Sequence, residues 1–166
     1  MTDGHRRNQR IQTSFAILVV SDTRTKESDK SGVVAQDLIA SEGHTTKVYE
    51  IVKNDKAQIT AAVERYLRDT SIRVILTSGG TGVGRKDLTV DAIEPFFNKK
   101  LNGFGEQFRR LSLEEIGLAG IYSRATAGLI GKTVVFCLPG SKNAMALALE
   151  NVILPSIGHL LWEVDR

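Results

Sequence analysis

The stretch LTSGGTGVGRKDLT, residues 76–89, leaves an apolar run through a glycine-rich turn and enters a charged segment. Glycine permits positive φ and lets bare backbone N–H groups approach an anion, so a turn of this kind after a strand favours phosphate binding. Two familiar templates fail: Arg85 stands where a P-loop needs lysine and where a dinucleotide fingerprint needs its third glycine. The turn therefore predicts an anion site that is neither a P-loop nor a dinucleotide-binding turn. The alternative interpretation is a flexible connection between strand and helix.

Apolar runs lie on both sides of this turn. FAILVV (15–20), IRVIL (72–76) and KTVVFCL (132–138) do not alternate, which is typical of strands buried on both faces, and KVYEIVK (47–53) predicts another strand. Helical spacing occurs between them, in residues 31–43 and 55–69. Alternating strands and helices predict the α/β class, as a three-layer α/β/α sandwich around a mostly parallel sheet.

The second half of the chain is less regular. Thr89 is predicted to cap a helix that reaches Phe97, and further helices are predicted over 103–117 and 123–129. The last strand runs into PGSKNAMALALENVILP (139–155), where Ser141 is predicted to cap an apolar helix and Pro155 to interrupt it.

Length and composition indicate one ordinary domain. The 166 residues carry a net charge of +3, and Arg6, Arg7 and Arg10 concentrate that charge near the start of the chain. Residues 1–13 are predicted to be a flexible basic tail that is dispensable, and residues 14–166 a single domain. The domain itself is not basic enough to indicate a nucleic-acid partner.

Other composition features restrict the class of protein further. No stretch of 18 apolar residues is evident, so we expect no membrane partner. The lone Cys137 excludes an internal disulfide and any metal site of the CxxC type. A cytoplasmic protein is the simplest expectation.

Small and polar residues follow three of the predicted strands, in VSDT (20–23), TSGGTG (77–82) and LPGS (138–141). In an open parallel sheet, ligands bind outside the carboxyl ends of the strands. The three segments therefore predict one composite pocket for phosphates, which would also accept a polar heterocycle bound through the backbone.

Two aspartates are candidates for the chemistry. Asp87 follows the glycine-rich turn, and a carboxylate beside a phosphate site is tolerated when Mg²⁺ lies between them. Asp55 follows another strand and is open to two compatible interpretations, a second carboxylate or the N-cap of a helix. Ser141 has no histidine partner in view, but an attacking phosphate would be ionised already and would need no base.

The motifs SGGTG, RKDLT, GFGEQFRRLSLEEIG, SRATAG and LPGS, in this order, resemble the MoaB/Mog family of molybdenum cofactor biosynthesis, and the MoaB branch more closely. The resemblance covers about residues 15–160. It implies an α/β/α domain that binds molybdopterin; active members transfer AMP from Mg-ATP to its terminal phosphate and release pyrophosphate. It also implies a homotrimer or homohexamer, and a separate protein that inserts the metal.

Matching positions carry the family's roles onto this chain. The resemblance assigns phosphate or nucleotide binding to Ser78, Gly79, Gly80, Thr81 and Gly82, and pterin binding to Pro139, Gly140 and Ser141. It assigns catalysis and Mg²⁺ to Asp87 and Asp55, and places Ser21, Asp22, Thr89 and Glu106 in the pocket.

One position departs from the family pattern, since Val90 replaces the proline that usually follows Thr89. A molybdopterin adenylyltransferase and a non-catalytic molybdopterin-binding protein both remain open, and the retained Asp55, Asp87 and Thr89 favour the enzyme. A generic nucleotide hydrolase is disfavoured by the missing P-loop lysine. The choice of molybdenum or tungsten, and of trimer or hexamer, stays open.

Overall fold

A six-stranded sheet runs through the part of the chain that the computed structural model describes, residues 11–166. Its order is β2-β1-β3-β6-β5-β4. β1 (Ser14–Val20), β2 (Thr45–Val52), β3 (Ile72–Ser78) and β6 (Thr133–Leu138) pair in parallel. β5 (Thr126–Ile130) runs the opposite way and pairs antiparallel with β6 and with β4 (Lys99–Lys100). The expected mostly parallel sheet is confirmed.

Helices cover both faces of the sheet. They are α1 (Lys30–Ser41), α2 (Lys56–Arg68), α3 (Thr89–Ile93), α4 (Asn102–Ile116), α5 (Lys142–Ala148) and α6 (Leu154–Asp165). The buried side chains of α1, α4, α5 and α6 pack on one face, and those of α2 and α3 pack on the other. Along β1, Ile17 faces the first core and Leu18 the second, which explains why this strand shows no polar alternation.

The prediction of a helix over residues 123–129 is wrong, because residues 126–130 form the strand β5. Its residues pair antiparallel with β6, with Thr126 opposite Cys137 and Ile130 opposite Thr133. Gly131, at φ +59°, provides the tight reversal between the two strands. Pairing with β6 therefore overrides the weak local preference of a short segment of small residues.

Pro155 does not interrupt the C-terminal helix, contrary to the sequence prediction. A π-helical turn over Leu149–Ile153 joins α5 to α6, and Pro155 occupies the first turn of α6. A π turn shifts the hydrogen-bond register, so that the missing proline N–H is accommodated.

The joined helix Lys142–Asp165 is long and apolar enough to cross a membrane, a feature that the sequence expectation missed. One side of it nevertheless contributes Met145, Leu149, Ile153 and Leu161 to the core against the sheet. Packing inside the domain therefore accounts for its apolar character.

The predicted boundary between tail and domain lies next to a buried residue. Thr13 is buried, its backbone N–H donates to Nδ1 of His44 at 3.2 Å, and its carbonyl accepts from the N–H of Thr45 at 3.0 Å. The contacts of the domain thus include the last residue of the predicted tail. Residues 1–10 of the predicted tail lie outside the described residues.

Candidate functional site

The carboxyl ends of β1, β3 and β6 meet at Gly79. Its N–H donates to the carbonyl of Leu138 at 2.9 Å, and its φ is +103°. A Cβ at this position would clash with the backbone oxygen of Val20, and one on Gly140 would lie 3.3 Å from the Gly79 Cα. The glycine-rich turn and the LPGS loop are therefore in direct backbone contact, which side chains would prevent.

Thr89 fixes the shape of the glycine-rich turn. Its backbone N–H donates to the carbonyl of Gly80 at 3.0 Å, and its hydroxyl donates to the carbonyl of Gly79 at 2.7 Å. It is fully buried and is the first residue of α3, whose N-cap is Leu88, so the predicted capping role for Thr89 is wrong. Thr89 positions the turn from beneath.

Arg124 holds the same turn from the other side. Its backbone N–H donates to the carbonyl of Thr81 at 2.8 Å. Its Nε donates to the carbonyl of Gly82 at 2.8 Å, and its Nη2 donates to the carbonyl of Asp87 at 2.9 Å. The guanidinium also forms two bonds to Asp91, at 2.9 and 3.1 Å. These bonds lower the pKa of Asp91 and raise the pKa of Arg124. Sequence reasoning missed this residue; the signal was an arginine among small residues in SRATAG.

Asp87 closes the turn on itself. Its Oδ2 accepts from the N–H of Gly84 at 2.8 Å, and it would lie 2.7 Å from a Cβ placed on Gly82. The carboxylate thus occupies the inside of the turn, and glycines at 82 and 84 leave it room. One carboxylate oxygen pairs with the backbone, and the other accepts no hydrogen bond from the described residues.

A cavity of about 330 Å³ brings several predicted residues together. Its polar side consists of the glycine-rich turn and the LPGS loop, and its apolar side includes Phe108, Ile116 and Tyr122. The predicted site residues that line it are Gly80, Thr81, Gly82, Asp87, Pro139, Gly140 and Ser141. Polar backbone on one wall and apolar or aromatic side chains on another suit a flat heterocycle with a phosphate.

Ser78, Gly79 and Thr89 lie behind this cavity. The hydroxyl of Ser78 is buried and lies 2.9 Å from the hydroxyl of Ser31. Ser141 lines the cavity and also caps α5, since its hydroxyl accepts from the N–H of Ala144 at 3.1 Å. That predicted cap is confirmed.

Asp55 and Asp22 do not line the cavity. Asp55 caps α2, as predicted, accepting from the N–H of Gln58 at 2.9 Å. Asp22 accepts from the N–H of Asn54 at 3.0 Å, which lowers its pKa, and pairs with Lys86 at 3.5 Å. The glycine-rich turn is thereby tied through Lys86 and Asp22 to the neighbour of Asp55.

Glu106 and Ser21 line two other cavities. Glu106 lies in a cavity of about 910 Å³ with Lys56, Arg109 and Arg124. Ser123 lines both this cavity and the smaller one of the glycine-rich turn, so the two are neighbours. Ser21 lines a third cavity, of about 460 Å³.

Among residues 11–166, no three His, Cys, Asp or Glu side chains are grouped closely enough to hold a metal ion by themselves. Mg²⁺ differs from such closed sites, because it keeps several waters and takes one or two carboxylates together with substrate phosphates. The inward Asp87 carboxylate, with one oxygen free of hydrogen bonds from described residues, fits that requirement. Cys137 is fully buried, and burial raises the pKa of its thiol to about 12, which makes it unreactive.

The chain is similar to known proteins over nearly its whole length. The profile of a probable molybdopterin binding domain matches residues 16–159. The chain is 43% identical to molybdenum cofactor biosynthesis protein B of Bacillus anthracis, over 98% of this chain and 96% of that protein. It is 45% identical to the protein of the same name from Bacillus subtilis (strain 168), over 90% and 89% of the two chains.

Solved structures agree with these relatives. A crystal structure of a molybdenum cofactor biosynthesis protein B superposes with a TM-score of 0.91 at 43% identity, covering 95% of this chain and 98% of that one. The tungsten cofactor synthesizing protein MoaB from Pyrococcus furiosus gives 0.86 at 37% identity, covering 93% and 98%.

Proposed function

The chain belongs to the MoaB branch of the MoaB/Mog family of molybdenum cofactor biosynthesis proteins, and from that premise we propose that it adenylylates molybdopterin with Mg-ATP. The products are adenylylated molybdopterin and pyrophosphate. The observation that carries the proposal is the single cavity in which the glycine-rich turn, the Asp87 carboxylate and the LPGS loop face one another.

The chemistry requires positioning more than proton transfer. An oxygen of the molybdopterin phosphate attacks the α-phosphorus of ATP, a new P–O bond forms, and the bond from the α-phosphorus to the bridging oxygen breaks to release pyrophosphate. The attacking phosphate is ionised at neutral pH, so no general base is needed. This agrees with a cavity whose polar lining is backbone, hydroxyls and one carboxylate.

Within this proposal, the N–H groups of Gly80, Thr81 and Gly82 hold phosphate, since these residues line the cavity. Ser78 and Gly79, whose N–H is bonded to Leu138, support the turn from behind, and Thr89 and Arg124 keep it in shape. Pro139, Gly140 and Ser141 hold the pterin. Asp87 would hold Mg²⁺, which supplies neutralisation of the phosphate charge. Asp55 is proposed as a second carboxylate, and the link through Asn54, Asp22 and Lys86 supports its approach to the turn.

A non-catalytic molybdopterin-binding protein is the second candidate. It is favoured by the structural uses of both aspartates, since Asp55 caps α2 and Asp87 bonds to Gly84. A protein that only binds molybdopterin would need Asp55 and Asp87 for these structural roles alone.

Assembly and location are part of the proposal. Exposed apolar side chains follow one another along the end of α4 and the turn after it: Leu113, Ile116, Leu118, Ile121 and Tyr122. They support self-association into a homotrimer or homohexamer, because such patches are commonly covered by another chain. We place the protein in the cytoplasm, handing its product to a separate metal-insertion protein.

The experiment incubates purified protein with molybdopterin, ATP and Mg²⁺, and measures AMP transfer and pyrophosphate release. We expect one pyrophosphate per adenylylated molybdopterin. Molybdopterin binding without any transfer would reject the enzyme in favour of the binding protein.

A further inference from the structure

A basic cavity lies beside the proposed catalytic one, between the loop after β1 and the end of β2. Its volume is about 460 Å³, and its charged lining includes Arg24, Lys26 and Lys53 beside Ser21 and the ring of Tyr49. Three cations converge there. The cavity of the glycine-rich turn, in contrast, has no lysine or arginine among its described lining residues and contains the carboxylate of Asp87.

Arg24 is paired with Asp29, but the two lysines of the basic cavity have no acidic partner among the described residues. Its carboxylate, Glu50, is held by Arg65 at 2.7 Å and by the hydroxyl of Tyr66 at 2.6 Å. Lys53 donates to the backbone carbonyl of Asp22 at 2.8 Å, and Lys26 lies 5.5 Å from the centre of the Tyr49 ring. Neither ammonium forms a salt bridge with a described residue, so both remain available to an anion.

Arg24 connects the two cavities. It lines the basic cavity, and its Nη1 would lie 3.5 Å from a Cβ placed on Gly140 of the LPGS loop. Its orientation is set by Asp29, whose buried carboxylate lies 3.6 Å away. Asp29 is itself fixed, since it caps α1 and accepts from the Tyr49 hydroxyl at 2.7 Å. A cation held in this way is preorganised for an anion that spans both cavities.

We propose that the basic cavity binds the phosphate chain of the nucleotide co-substrate, with Arg24 shared between this chain and the LPGS side of the site. The inference rests on the adenylyltransferase function proposed above. A triphosphate carries several negative charges. The glycine-turn cavity offers these charges only backbone dipoles, and its Asp87 carboxylate repels them, whereas the basic cavity offers the cations Arg24, Lys26 and Lys53. The leaving pyrophosphate is accordingly stabilised in the basic cavity.

The test measures binding of inorganic pyrophosphate and tripolyphosphate by calorimetry, so it needs no turnover. The variant Lys26→Gln/Lys53→Gln removes two exposed ammonium groups that form no salt bridge with residues 11–166, and the fold should tolerate it. We expect it to bind pyrophosphate about tenfold or more weakly, since each bond to a charged group is lost from a partly desolvated site. Arg24→Lys should show a smaller loss, because the charge remains while the planar fork is lost.

The matched control is Lys99→Gln/Lys132→Gln, which makes the same charge change near the opposite end of β6. Equal weakening in both double variants, or none in the first, would overturn the inference. Molybdopterin binding, titrated in parallel, should stay unchanged in both.

The two proposals fail separately. If the protein shows no AMP transfer but binds pyrophosphate, and Lys26→Gln/Lys53→Gln loses that binding, the polyphosphate site is supported and the enzyme function is rejected. If AMP transfer occurs and the KM for ATP is the same in wild type and in Lys26→Gln/Lys53→Gln, the enzyme function is supported and the polyphosphate site is rejected.

Discussion

The hydroxyl of Thr89 donates to the carbonyl of Gly79 at 2.7 Å, from a side chain that is fully buried beneath the glycine-rich turn. This bond joins the first residue of α3 to the first positive-φ residue of the turn. The conformation of the glycine-rich turn therefore depends on a residue that lies behind the proposed ligand cavity and not in its lining.

Replacing Thr89 by Val keeps the shape of the side chain and removes this donor. We expect the free energy of unfolding to fall by about 1–3 kcal/mol, because the carbonyl of Gly79 loses a buried partner. Molybdopterin affinity should fall as well, because the turn is released. The measurements are urea unfolding and ligand titration.

Thr133→Val is the control for that change. Thr133 is also buried, and its hydroxyl donates to the carbonyl of Ile72 at 3.2 Å, at the start of β3. It should lower stability to a similar extent and leave molybdopterin affinity alone. Equal loss of affinity in the two variants would mean that Thr89 acts through general stability only.

Gly79→Ala should be one of the most damaging small substitutions in the chain. The residue has φ +103°, and the added methyl group would clash with the backbone oxygen of Val20. Gly43→Ala shares a positive φ, +81°, but its methyl group meets nothing closer than 4.0 Å. The control should cost about 1–2 kcal/mol from strain, and Gly79→Ala clearly more, by thermal or urea unfolding. Similar losses of stability in the two variants would show that the backbone at the ends of β1 and β3 shifts to relieve the clash.

Asp87→Asn tests the proposed metal role. The amide oxygen can still accept from Gly84 N–H, so the turn should keep its shape while the charge is lost. We expect AMP transfer to fall about 10²–10³-fold, with molybdopterin binding retained. Transfer is measured against Mg²⁺ concentration, and normal turnover with the same Mg²⁺ requirement would contradict the role.

Asp55 offers a separation of capping from chemistry. Asp55→Ser preserves an N-cap for α2, whereas Asp55→Ala removes it and should cost about 1 kcal/mol of stability. If Asp55 is a catalytic carboxylate, the stable Ser variant should still lose AMP transfer. Full transfer in Asp55→Ser would leave the residue with the capping role alone.

Arg124 makes stability depend on pH. Its bonds hold the pKa of Asp91 below the ordinary 3.8, so this stabilisation is present at pH above that value and is lost as the pH falls through the lowered pKa. Arg124→Gln should therefore show a smaller loss of stability between pH 5 and roughly pH 2 than wild type does. The measurement is the urea midpoint across that range.

Arg73→Gln is the matched variant for Arg124→Gln. Arg73 binds Asp165 through two bonds, at 3.0 and 3.1 Å, and likewise lowers the pKa of that carboxyl group. Its removal should flatten the acid dependence in the same way, without weakening molybdopterin binding. Arg124→Gln should weaken that binding, because Arg124 also bonds to Gly82 and Asp87.

Much of the architecture was already present in local sequence patterns. Non-alternating apolar runs predicted β1, β3 and β6, since both faces of these strands are covered. The caps at Asp55 and Ser141 followed from short-range spacing. The ordered glycine, aspartate and LPGS motifs indicated the family, which the relatives confirm.

Tertiary structure decided what depends on distant parts of the chain. Residues 126–130 became a strand through pairing with β6, and Pro155 stayed within a helix through a π turn. Arg124 reaches Gly82 across 42 positions, and Arg24 lies beside Gly140 across a strand order that local spacing does not specify. Period and capping are set by near neighbours along the chain, whereas the lining of a cavity depends on which loops the sheet order places side by side.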